Sequence, residues 1–126
     1  MKNKSVILIL LIFLGIVICS IAFARVSEIK KSMIRILGDT KKITEGLVYD
    51  DLLFINETVN SLIPQVDRLK ELNSEKQFQE YAEKCKTNIL NMRLYCKRNS
   101  VEELAEEYKS MLLNTCMKCH KIYRTE

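Results

Sequence analysis

Tryptophan is absent, proline occurs once, and the 126 residues include only three glycines and one histidine. Sandwiches and barrels need turn residues at every strand end, and this chain cannot supply them. Strands alternating with helices would also need more than are present. All-β and α/β architectures are therefore disfavoured. The single imidazole, His120, excludes sites built on two histidines, including most catalytic zinc sites and multi-haem wiring. Low-complexity disorder is excluded by what is abundant: 48% of the residues are hydrophobic. The length allows one domain.

The first 24 residues read as a segment separate from that domain. Lys2 and Lys4 form a positive start, Val6 to Phe23 is apolar apart from Gly15 and Ser20, and Ala22-Phe23-Ala24 is a small-x-small site before Arg25. This is the three-part pattern of a secretory signal peptide cleaved after Ala24. The apolar stretch is longer than most signal peptides need and approaches a transmembrane span, so an uncleaved N-terminal anchor is the alternative. A lipoprotein site at Cys19 is weak, because Ile18 stands where a small residue is expected. Every one of these readings exports residues 25–126, which for a Gram-negative cell means the periplasm. Loss of Lys2 and Lys4 leaves 18 of the 20 basic residues against 16 acids, a net charge of about +2. A near-neutral domain lacks the basic stripe of a nucleic-acid binder. A domain this small also buries only about 60–65% of its unfolded surface, so a cofactor would help to hold it together.

The remainder has the periodicity of four amphipathic helices. Val26, Ile29, Met33, Ile36, Thr40, Ile43 and Leu47 recur at spacings of three and four, which predicts a first helix over roughly 26–45 with Gly46 as its left-handed C-cap. Asp50 or Asp51 should cap a second helix with the seam Leu52, Ile55, Val59, Leu62, Val66 and Leu69. Pro64 inside that seam predicts a kink or a stop near Ile63. After Asn73-Ser74, a third helix carries Phe78, Tyr81, Ala82, Cys85, Ile89, Met92, Tyr95 and Cys96. Ser100 and Glu103 have capping-box spacing and open a fourth, with Val101, Leu104, Tyr108, Met111, Leu112, Thr115, Cys119 and Ile122 inward. Each helix has one apolar stripe, and the connections are short. The expected fold is all-α, an up-down-up-down four-helix bundle.

The chemistry lies in Cys116-Met117-Lys118-Cys119-His120, the spacing of a covalent c-type haem attachment site. Thiols at i and i+3 share one side of a helical turn and can add to the two vinyl groups on one porphyrin edge. The next residue, His120, is then held where its Nε2 can bind the iron. A thioredoxin-like reading lacks the βαβ context that motif belongs to. A four-cysteine zinc site would need Cys85 and Cys96, which lie about 16 Å apart along one helix and cannot both reach one metal. Outside the cytosol those two can be buried thiols or form an intermolecular disulfide.

The end of the chain, Cys116-x-x-Cys119-His120-x-x-Tyr123-Arg124, resembles the C-terminus of the cytochrome c prime family, which includes low-spin relatives with methionine as second iron ligand. Gly46 and Asp50/Asp51 at the first turn, Phe78 at the start of the third helix and attachment in the last helix extend the resemblance over residues 26–126. It implies a single covalent haem c near the C-terminus, a distal residue supplied by the first helix, and dimerisation through the first two helices.

No second histidine can complete the iron, which leaves methionines, lysines or the N-terminus. Met33 is the leading candidate: it lies on the inward seam of the first helix, where the resemblance places the distal ligand, although a seam methionine can equally be core filler. A second ligand closes the iron for electron transfer, whereas an open position binds nitric oxide or carbon monoxide. Arg124, one turn beyond His120, could approach a haem propionate or simply favour the helix dipole. Tyr123 could pack on the ring or in ordinary core. Lys118, Lys121 and Arg124 could dock an acidic redox partner or be a solvated face. The expected protein is an exported mono-haem cytochrome that carries electrons and is not an enzyme. A five-coordinate gas-binding protein and a non-haem structural or metal-binding module are the alternatives.

Overall fold

The computed structural model describes residues 2–123. Among them there is no strand. Four helices follow one another: α1 (Lys2–Tyr49), α2 (Leu52–Leu72), α3 (Lys76–Arg98), and a fourth made of α4 (Val101–Ser110), a π-helical stretch (Met111–Cys116) and α5 (Met117–Tyr123). The joints are short. Pairs across α2 and α3 match Asp67 with Lys86 and Lys70 with Glu83, so residue numbers fall on one helix as they rise on the other. Gly46 against Ile55 and Asp39 against Ser61 give the same opposed order for α1 and α2. Phe78 against Tyr123 and Asn88 against Glu107 give it for α3 and the fourth helix. Consecutive helices are therefore antiparallel.

The α1 seam differs from its expected extent. Nothing between Ala24 and Ser27 breaks a helix, and the backbone runs unbroken from the apolar segment into the domain. Ile36, Thr40 and Ile43 are buried, Ile29, Met33 and Leu47 are half-buried, and Val26 is exposed. The large apolar side chains from Val6 to Phe23 are all exposed. These 18 residues, about 27 Å of helix, give α1 the length and apolarity to cross a membrane.

Gly46 does not cap α1, which continues to Tyr49. Asp50, at φ 55°, takes the left-handed position instead, and the Asp51 N–H donates to the Gly46 carbonyl at 2.9 Å. Gly46 is needed for a different reason: α2 lies so close that a Cβ there would collide with the side chain of Ile55. Asp51 caps α2 as expected, its Oδ1 accepting from Phe54 N at 2.9 Å. Ile55, Val59, Leu62, Val66 and Leu69 are buried beneath it. Pro64 does not end α2, which runs on to Leu72. Pro64 and Asn60 are exposed, so the carbonyl that loses its partner faces water.

The capping box at Ser100 does not form through its side chain. Asn99, at φ 56°, closes α3, and the Ser100 N–H is used in that closure, donating to Tyr95 O at 3.0 Å. This Schellman-like turn leaves Ser100 with a conformation set by the preceding helix. In the fourth helix Met111, Thr115 and Cys119 are buried and Tyr123 is half-buried, a strict spacing of four. The wider π turn accounts for it. Ile122, expected inward, is exposed.

One core joins all four helices. Ile43, Ile55, Val59, Leu62, Ile89, Met92 and Leu104 are fully buried at its centre. Polar side chains cross-link its edge. Tyr108 Oη donates to the Thr40 carbonyl at 2.6 Å and lies 2.7 Å from Thr44 Oγ1, tying the fourth helix to α1. Asp39, buried on α1, accepts from Ser61 and Gln65 of α2 and pairs with Lys42. Burial alone would raise its pKa, but these donors outweigh burial and hold it below the ordinary carboxylate value.

Candidate functional site

At the end of the core remote from the α1–α2 turn, an apolar cavity lies between the helices. Its volume is about 110 Å³. α1 contributes Met33, Ile36, Leu37 and Thr40, and α2 contributes Val66 and Leu69. α3 brings Phe78, Tyr81, Ala82 and Cys85. The remaining wall is Leu112, Thr115, Cys116, Cys119 and His120. The π stretch is what presents this wall: its four-residue spacing puts Thr115 and Cys119 in line on the inner side. Such stretches concentrate at functional sites.

Four residues singled out in the sequence thus meet at one cavity: Met33 from α1, and Cys116, Cys119 and His120 from the fourth helix. Cys119 is buried, Cys116 and Met33 are half-buried, and His120 lies exposed on the rim. The other internal methionines are packed away: Met92 and Met111 are fully buried in the core, and Met117 points to solvent. Tyr123 does not line the cavity. Its ring stands edge-on to Phe78, with centroids 5.3 Å apart, and its hydroxyl donates to Glu75 Oε1 at 2.8 Å. It supports a lining ring from behind. Partial burial and the Glu75 carboxylate push its pKa up to about 12. Arg124 lies outside the described residues.

Several lining residues carried no functional signal in the sequence. Tyr81 and Thr115 were legible only as seam positions. Thr115 Oγ1 donates to Asn88 Oδ1 at 3.1 Å, and the Asn88 amide donates to Glu107, which fixes the wall that bears Cys116. Cys85 is the more consequential case. The Cys116 sulfur beside it, with burial, pushes the Cys85 pKa well up. The Cys85 thiol in turn holds the Cys116 pKa below the ordinary thiol value. Burial, with the nearby Cys116 charge, pushes the Cys119 thiol up to about 11. The signal that could have found Cys85 is register: an antiparallel α3 and fourth helix put position 85 level with position 116.

The donor set suits an iron porphyrin: two thiols three residues apart, an adjacent imidazole, and a thioether from another helix, around an otherwise apolar cleft. Among the described residues no group of three or more His, Cys, Asp or Glu side chains is arranged to hold a bare metal ion. Compared with protein-family models, curated proteins and solved structures, the chain matches none.

Proposed function

We propose that the chain is an exported mono-haem c-type cytochrome, built as an up-down-up-down four-helix bundle, that carries electrons. One observation carries this reading: Cys116, Cys119 and His120 line the same apolar cavity as Met33. Cys116 and Cys119 would hold the haem c through thioether bonds, and His120 and Met33, which line the cavity from the fourth helix and α1, would supply ligands to its iron. A haem held there would supply one-electron exchange between ferrous and ferric iron. The aliphatic walls from α1 and α2 keep water away, and Lys118 and Lys121, exposed beside the site, offer a positive surface to an acidic redox partner.

The optical spectrum of the reduced protein, with and without carbon monoxide, tests this. A six-coordinate, low-spin c-type spectrum that carbon monoxide changes slowly is expected. A high-spin spectrum that changes at once assigns the chain to the gas-binding class instead. Absence of a haem spectrum leaves a structural or metal-binding helical module.

Export belongs to the same proposal. The apolar part of α1 packs against none of the core. Residues 1–24 act as a signal peptide, which places the domain in the periplasm. Mass spectrometry of native protein should find Arg25 as the first residue. An intact Met1 in the membrane fraction would show the segment retained as an anchor.

A further inference from the structure

Three thiols, not two, line the cavity. Cys85 belongs to α3 and is 31 residues from Cys116 in sequence, yet both line the cavity, in the same antiparallel register that sets Phe78 against Tyr123. Nothing in haem attachment uses Cys85. Cys119, the nearest thiol to Cys116 in sequence, is buried, while Cys116 is half-buried and open to a reagent from solvent. An exported chain also meets thiol oxidants before its cofactor is in place.

We propose that Cys85 is a third redox thiol of the site: in the haem-free chain it forms a disulfide with Cys116, and this bond must be reduced before Cys116 can hold a haem. The inference rests on the haem reading above. The oxidant is a disulfide, either a small one such as glutathione disulfide or that of a thiol oxidase. Cys116 as thiolate attacks one sulfur of the oxidant, forming a mixed disulfide and expelling the other sulfur as thiolate. That thiolate takes the Cys85 proton. The Cys85 sulfur then attacks the Cys116 sulfur and expels the oxidant's second half, which takes a proton from water. Cys85 and Cys116 are oxidised by two electrons in all, and one disulfide is reduced to two thiols. A dithiol reductant runs the exchange backwards. Until it does, Cys116 has no S–H to add to a vinyl group, and only Cys119 remains. The pair thus protects the reactive thiol and makes haem loading depend on a reductant.

The test starts from the full-length chain made without haem-attachment machinery. It is equilibrated with mixtures of glutathione and glutathione disulfide, quenched in acid, alkylated, digested without reduction and mapped by mass spectrometry. The Cys85–Cys116 peptide should exceed Cys116–Cys119 by about tenfold or more, and Cys85→Ser should return Cys116 to the alkylating reagent. A dominant Cys116–Cys119 bond, which an unfolded chain would favour by its short loop, overturns the proposal. So does a Cys85 that is alkylated at every ratio. A second arm expresses wild type and Cys85→Ser with the attachment machinery while reductant is limiting, and reads the haem-loaded fraction by intact mass. Several-fold higher loading of Cys85→Ser is expected, and equal loading overturns the gate. If neither chain gains the mass of a haem, the haem reading has failed, and the disulfide map still decides whether Cys85 and Cys116 pair.

Discussion

Met33→Ala is expected to turn a low-spin, six-coordinate haem protein into a high-spin one. The substitution shortens a half-buried side chain on the cavity wall without touching the fully buried core, so the helices should keep their packing. The sulfur-to-iron band at the red end of the oxidised spectrum should vanish. Carbon monoxide and nitric oxide should bind faster, because no protein ligand has to leave first. The reduction potential should fall, since methionine ligation raises it. Circular dichroism should be nearly unchanged, which separates ligand loss from unfolding. If the wild type is already high-spin and Met33→Ala changes nothing, Met33 is core filler and the open-iron reading takes its place.

The fold was legible wherever periodicity and a single cap determine structure. α2 is the clearest case: its seam and its Asp51 cap follow from one apolar stripe and one side chain beside its own backbone. The errors come from residues whose role depends on a neighbouring element. Gly46 reads equally well as a left-handed cap or as a place where two helices touch, and only the approach of Ile55 decides. Ser100 has the spacing of a capping box, but the Asn99 turn that ends α3 had already committed its backbone. Pro64 could kink or stop α2, and the helix runs on through it, with the carbonyl that loses its partner facing water. The π stretch leaves no mark on the sequence beyond a change of inward spacing to a strict four.

The same division runs through the site. Cys116, Cys119 and His120 could be grouped because their relation is local, within two turns of one helix. Met33 could be placed only on the inward face of α1. That it reaches the same cavity depends on how α1 sits against the fourth helix, which Tyr108 secures by bonding to Thr40 and Thr44. Cys85 could be read as a buried thiol or as one half of an intermolecular disulfide, but not as a neighbour of the Cys116 wall, since that is a matter of register between two antiparallel helices. Tyr123 could be read for the ring face or for ordinary core, and only the fold shows its ring edge-on to Phe78.

Cys116→Ala combined with Cys119→Ala is expected to abolish covalent haem entirely. The variant matured alongside wild type should lose its haem completely to acid acetone, because an iron–imidazole bond does not survive acid and no thioether remains. It should also be markedly less stable. A cofactor-sized void at the end of a small core is a large defect when a single leucine-to-alanine void costs about 2.7–5 kcal/mol. Thermal unfolding followed by circular dichroism should show a broad transition at lower temperature, or none. The single variants should each retain haem through one thioether, Cys119→Ala through Cys116 and Cys116→Ala through Cys119.

The central claim is that this chain holds one haem covalently through Cys116 and Cys119. The intact mass of the wild-type protein, matured with haem-attachment machinery and extracted with acid acetone, tests it most directly. The account predicts a polypeptide heavier than its bare chain by one haem, with the added mass on the peptide that contains Cys116 and Cys119. A bare-chain mass from cells that load other c-type cytochromes in the same culture would contradict it.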